Sequence, residues 1–61
     1  MIKVRDLKAH LEASGCRQVR QGAKHEVWEG PGGRSSLPRH REIPRTTARA
    51  ICAQLGVAKI L

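Results

Sequence analysis

The stretch HEVWEGPGGRSSLP, His25 to Pro38, decides how this chain folds. Val27 and Trp28 favour extended backbone, because branched and aromatic side chains pack well on a pleated surface. The run Gly30-Pro31-Gly32-Gly33 then supplies turn residues, and RSSLP, Arg34 to Pro38, continues as a second extended segment. Pro38 ends it, since proline cannot donate to a ladder. Upstream, CRQVRQ, Cys16 to Gln21, shows no helical stripe and runs into the turn-forming Gly22-Ala23-Lys24. Together these segments predict a three-stranded antiparallel meander.

The flanks carry a different period. Val4, Leu7 and Leu11 recur at i, i+3 and i+7, one face of an amphipathic helix over roughly 3–14. Gly15 suits the left-handed residue that stops it. Downstream, Pro44 fits the first helical position. Ala48, Ile51, Cys52 and Leu55 fall at i, i+3, i+4 and i+7, and Gly56 closes a helix over roughly 44–55. The tail, VAKIL, is apolar enough to dock on the sheet or on a partner. Helix, three strands, helix gives an α+β fold, an α-β-β-β-α two-layer sandwich in which one sheet face carries both helices and the other stays open.

Parity along the middle strand puts His25 and Val27 on one face, Glu26 and Trp28 on the other. Val27, taken with Leu37, suggests that its own side faces the helices. Trp28 then fits either the core or the open face, and on the open face it is a candidate anchor for a partner.

A chain of 61 residues holds one domain, residues 1–61. Such a domain buries only about 60% of its unfolded surface, so its stability is modest. Cys16 and Cys52 are too few and too far apart for a zinc site, and read as small buried hydrophobes in a reducing compartment. No metal or cofactor is expected. The opening MIKVRDLKAH has no apolar run like that of a signal peptide, and no stretch approaches the ~18 apolar residues of a membrane span. A cytoplasmic protein is the expectation.

Charge carries the functional signal. Twelve Lys and Arg against five Asp and Glu give a formal net charge of +7. Such an excess, mostly arginine, points to a polyanion, RNA or DNA first. Trp28 is the only aromatic residue. That argues against modules that stack several bases on aromatic platforms.

Three histidines are the candidate chemical groups. His10 lies at the boundary of the first helix, where a partly exposed structural role suffices. His40, in PRHRE, is a loop histidine among arginines. His25 opens a strand directly after a turn, where the sheet holds the ring and solvent still reaches it. A neutral imidazole beside cationic phosphate binders is the equipment for RNA cleavage: the ring takes the 2′-hydroxyl proton and Lys or Arg stabilises charge on the phosphate. Arg20, Lys24, Arg34, Arg39 and Arg41 come from the strands or their flanks and are the candidate RNA-binding cations. A lone strand histidine does not by itself establish catalysis.

The combination of LEASGC, VRQGAKHEVW, a glycine turn before RSSLPRH, and IPRTTARAICAQLG resembles the HicA toxin family of bacterial toxin–antitoxin modules. The resemblance runs from Asp6 to Val57. It implies a double-stranded-RNA-binding-domain-like fold, an mRNA-cleaving activity, and an HicB-like antitoxin as partner. It also implies that His25 is catalytic, since His25 stands at the histidine of the family's Gly-Ser-His motif. Ala23 and Lys24 replace the usual glycine and serine, with Gly22 one place earlier. The competing readings are an RNA-binding module of the same fold without catalysis, and an interaction protein whose basic face answers an acidic partner.

Overall fold

The computed structural model describes residues 1–60. In chain order it comprises β1 (Ile2–Lys3), α1 (Val4–Ala13), β2 (Arg17–Gln21), β3 (His25–Gly30), β4 (Gly33–Pro38), β5 (Glu42–Ile43) and α2 (Arg45–Leu55). The meander β2-β3-β4 is antiparallel throughout, and the expected α-β-β-β-α order holds around it. This is a small α+β fold, consistent with the double-stranded-RNA-binding-domain type.

Two features add to that expectation. β1 and β5 pair antiparallel, Ile2 with Ile43 and Lys3 with Glu42, in a separate two-stranded ladder. Two-residue segments are too short to show a period, so the pattern could not announce them. They tie the entry to α1 to the entry to α2, and the Val4 N–H donates to the Arg41 carbonyl at 3.0 Å. Pro44 is also not the first helical residue. It is the N-cap, with extended backbone, and α2 starts at Arg45. Proline's fixed φ serves either position.

The core holds Ile2, Val4, Leu7, Leu11, Cys16, Trp28, Leu37, Ile43, Ala48, Ile51, Cys52 and Leu55. The helical stripes expected on both helices therefore face inward. Val57 and Ile60 pack against the same cluster, so the tail docks on its own domain. His10 assists, with Nε2 2.7 Å from the Ala58 carbonyl. Leu61, the last residue of that tail, lies outside the described residues. Cys16 and Cys52 are buried free thiols, as expected, and burial pushes the Cys16 thiol above its ordinary range.

The parity of β3 is the correction. Trp28 is 3% exposed and lies opposite Ser35, while Glu26 lies opposite Leu37, and all four are buried. The helix-facing residues of β3 are thus Glu26 and Trp28. Val27 lies opposite Ser36, which is exposed, so Val27 belongs with His25 on the open face. Apolar ranking favours Val27 inward over Glu26, but two hydrogen-bond partners, one of them distant in the chain, overturn it. Lys8 on α1 donates to Glu26 Oε2 at 2.9 Å, and Trp28 Nε1 donates to Glu26 Oε1 at 3.2 Å. A buried carboxylate so satisfied escapes most of the penalty of burial, and the indole contributes about 4 kcal/mol of transfer free energy. Trp28 is core and is not a partner anchor.

At one end of the sheet the hairpin Gly30–Gly33 docks on the end of α2. The Gly32 N–H donates to the Leu55 carbonyl at 3.0 Å. Gly56 is left-handed, φ +74°, and the Val57 N–H reaches back to the Cys52 carbonyl at 3.0 Å. That is the expected cap. A Cβ on Gly32 would lie 2.7 Å from Gly56 Cα, so the hairpin tip and the helix end pass backbone against backbone.

Candidate nucleic-acid interface

With Glu26 and Trp28 turned inward, the open face of the meander is fixed by register. β2 contributes Arg17, opposite Glu29, and Arg20, opposite Val27. β4 contributes Arg34, opposite Glu29, Ser36, opposite Val27, and Pro38, opposite His25. The pairing slips between Gln18 and Arg20, a bulge that makes both arginines of β2 share this face.

His25 is the first residue of β3 and is exposed. The turn before it is closed by the Gly22 N–H, which donates to the His25 carbonyl at 2.8 Å. That bond, the start of the β3–β4 ladder, and Pro38 across from it fix the backbone while the imidazole projects from the open face. No parity conflict remains: once Val27 is outward, His25 is outward too.

The candidate cations separate into three groups. Arg20 is diagonal to His25 across β2 and β3, a relation of about 7–8 Å between Cα atoms that a long side chain spans. Lys24 directly precedes His25, and the Arg39 N–H donates to the Lys24 carbonyl at 3.3 Å. By register Arg20 shares the open face with His25, while Lys24 and Arg39 flank it in the chain, and the Arg39 charge also acts on Glu26 on the helix side of the sheet. Arg34 is four residues along β4 from Pro38, about 13 Å away. Its Nε donates to Glu29 Oε2 at 3.0 Å, and Arg17 approaches Glu29 Oε1 at 3.3 Å. The two guanidinium groups, Arg34 foremost, hold the Glu29 carboxyl below its ordinary range. Arg34 thus belongs to an ion-paired cluster at the hairpin end. Arg41 forms the third group: it leaves the sheet and, with His40, lines a groove of about 270 Å³ beside the start of α1, together with Lys3, Val4, Arg5 and Lys8.

Sequence reasoning did not find Lys3, Arg5 and Lys8, because helix periodicity marks them only as the polar side of α1. Nor did it find Arg17 as an open-face residue, since a bulge leaves no sequence pattern. Among the described residues there is no group of three or more His, Cys, Asp or Glu side chains placed to hold a metal ion. None of the described helices is long and apolar enough to cross a membrane.

A family model described as the HicA toxin of bacterial toxin–antitoxin systems matches residues 4–57. The chain belongs to the HicA toxin family. The match runs from the first residue of α1 to the residue after Gly56, and so takes in the whole sandwich. No curated protein and no solved structure matches this chain. As a HicA toxin it is one half of a toxin–antitoxin pair, and its family implies a cognate antitoxin.

Proposed function

We propose that this HicA toxin is a ribonuclease whose catalytic residue is His25. The observation that carries the reading is the position of His25: exposed, at the open end of the sheet, fixed by the Gly22 turn, with Arg20 diagonal to it on the same face and Lys24 and Arg39 flanking it in the chain. An imidazole can accept and return a proton. His25 takes the proton of a 2′-hydroxyl. The freed oxygen attacks the adjacent phosphorus and the bond to the 5′ oxygen breaks. That oxygen takes a proton from the imidazolium or from water, leaving a 2′,3′-cyclic phosphate and a 5′-hydroxyl. The neighbouring cations stabilise charge on the non-bridging oxygens. Every step uses side chains of this chain, so cleavage should persist in a chelator.

The cognate antitoxin is proposed to cover the open face at His25 and to be acidic where it meets the cations, since complementary charge speeds encounter. Crosslinks confined to the helical layer would contradict occlusion.

The test is purified protein with RNA, wild type against His25→Ala. Cleavage should fall by about 10²–10⁴-fold, the usual contribution of a general acid–base. An exposed strand-end side chain contributes little to the core, so stability should change by less than about 0.5 kcal/mol. RNA binding, carried by the cations, should survive. A folded His25→Ala protein that cleaves at the wild-type rate would leave an RNA-binding module of this fold as the reading.

A further inference from the structure

The groove beside the start of α1 stands apart from the open face. Its lining is Lys3, Val4, Arg5, Lys8, His40 and Arg41: four cations, one histidine, one valine and no carboxylate. Three of the cations have carboxylate neighbours outside the lining, Lys3 by standing opposite Glu42 in the β1–β5 ladder. Lys8 holds Glu26 at 2.9 Å, and Arg5 meets Asp6 at 3.8 Å with both side chains well exposed. Among the described residues, Lys3 and Arg41 form no ion pair. Nothing in the fold requires this concentration of charge. The core face of α1 is complete with Val4, Leu7 and Leu11, and the β1–β5 ladder is held by backbone bonds. Like charges lining one concavity repel one another, and an anion seated among them relieves that repulsion.

We infer that this groove is a second phosphate-binding subsite for the RNA strand cut at His25. The inference rests on the reading of His25 given above and extends it. Continuity of the backbone joins the two places. Pro38 lies opposite His25, Arg39 bonds to the Lys24 carbonyl, and the next two residues, His40 and Arg41, are already groove walls. From Pro38 to Arg41 is three residues, a span of at most about 11 Å. A strand leaving the scissile phosphate over the 38–41 turn therefore reaches the groove within a few nucleotides. The ligand is a backbone phosphate in a polynucleotide. Lysine and arginine at the rim give charge recognition without base readout, so the subsite adds affinity and direction to the strand without adding sequence preference.

The test uses the whole chain with arginine and lysine removed outside the His25 cluster. Lys3→Gln with Arg5→Gln neutralises two exposed groove residues. Arg45→Gln with Arg49→Gln makes the same charge change on exposed positions of α2 and is the control. The probes are 2′-O-methyl RNAs, which lack the attacking hydroxyl, one of about 12 nucleotides and one of about 3, bracketing the site sizes common for single strands. Binding is read by fluorescence anisotropy across a salt series, and cleavage of unmodified RNAs of both lengths is read in parallel.

The groove pair should lower affinity for the long RNA by about three- to ten-fold and reduce the slope of log affinity against log salt by about 0.7, one phosphate contact. Affinity for the short RNA and its cleavage should stay as in the parent, and the α2 control should stay near the parent with both. Unchanged long-RNA affinity and slope in the groove pair would overturn the subsite, as would equal losses in the control or equal losses on both RNA lengths. Intact RNA binding with lost binding of polyglutamate, used as an acidic polypeptide probe, would overturn it too and assign the groove to a protein. Failure of the parent to bind or cleave RNA would remove the His25 reading and the subsite together. A parent that cleaves beside a groove pair that matches it in every measurement removes the subsite alone.

Discussion

The two ends of the meander are built on opposite terms. At the hairpin end the chain closes on itself: Gly32 lies against Gly56, the Leu55 carbonyl takes the Gly32 N–H, and Glu29 holds Arg17 and Arg34. At the His25 end, Gly22, Lys24, His25, Arg39 and Arg41 are all exposed, and none of the three cations there forms an ion pair among the described residues. Carboxylates are scarce in this chain, and the sheet spends Glu29 at the end where shape matters. What is left at the other end is cations in excess: Glu26 there is taken up on the helix side by Lys8 and Trp28, with Arg39 adding only a longer-range attraction. A single small sheet can separate structural from binding duties simply by where it places its few acids.

The contrast can be broken most forcefully with glycine. Gly56→Ala would demand a left-handed backbone from a residue with a Cβ and would press that Cβ to 2.7 Å from Gly32. Strain and overpacking together should cost about 2–4 kcal/mol. A domain of this size has only about 3–9 kcal/mol to lose, so the melting temperature should drop steeply. Gly22→Ala is the counterpart. Its Cβ would meet only the His25 carbonyl at 3.1 Å, in an exposed turn. Less than about 1 kcal/mol should be lost there. Similar melting temperatures for the two variants would mean the ends are not built differently.

A smaller effect separates the layers rather than the ends. Glu26 is held below the ordinary carboxyl range, chiefly by the hydrogen bond from Lys8, with Trp28 assisting against the cost of burial. Its folded pKa is depressed. The stability it contributes is therefore fully present above about pH 4.3, its unfolded value, and is lost as pH falls through the lower folded value. Glu26→Gln should flatten the acid limb of a plot of melting temperature against pH below about 5. At neutral pH it should cost about 1–3 kcal/mol, because Lys8 loses its charged partner. An acid limb as steep as in the parent would assign the acid sensitivity elsewhere.

The smallest change in stability is expected at Glu29. Its ion pairs are exposed, so Glu29→Gln should leave the melting temperature within experimental scatter. Releasing Arg17 and Arg34 should nonetheless raise RNA affinity several-fold at low salt, and less as salt rises. Unchanged affinity would show that the hairpin end takes no part in binding even when its arginines are freed.

Much of this architecture is legible along the chain, because its signals are local. The stripe Ala48, Ile51, Cys52, Leu55 with Gly56 behind it defines α2, and the glycine run at 30–33 defines the hairpin. The fate of β3 was not legible in the same way. Whether Glu26 or Val27 turns inward depends on Lys8, 18 residues away, and on an indole N–H, neither of which shows as a period. The same holds at the site. His25 stands out by its place after a turn, but the division of the arginines among Glu29, His25 and the groove is decided by register and by a bulge. Charge count alone treats Arg34, Arg39 and Arg41 as equivalent, and the sheet does not.

The docking of the hairpin on α2 also bears on when this toxin acquires its shape. Among the described residues, four of the twelve in the core, Ala48, Ile51, Cys52 and Leu55, lie on α2, and the Leu55 carbonyl in the last turn of that helix accepts from the Gly32 N–H. A nascent chain that has emerged only as far as Ile43 has its histidine and every cation of the open face, but no second helix to bury Trp28 and Leu37. At about 5–20 residues per second, the interval between exposing the chemistry and assembling it is on the order of a second. During that interval the bacterium holds the ingredients of a toxin that has not yet become one, and an antitoxin that recognises the folded open face has nothing to bind until α2 arrives.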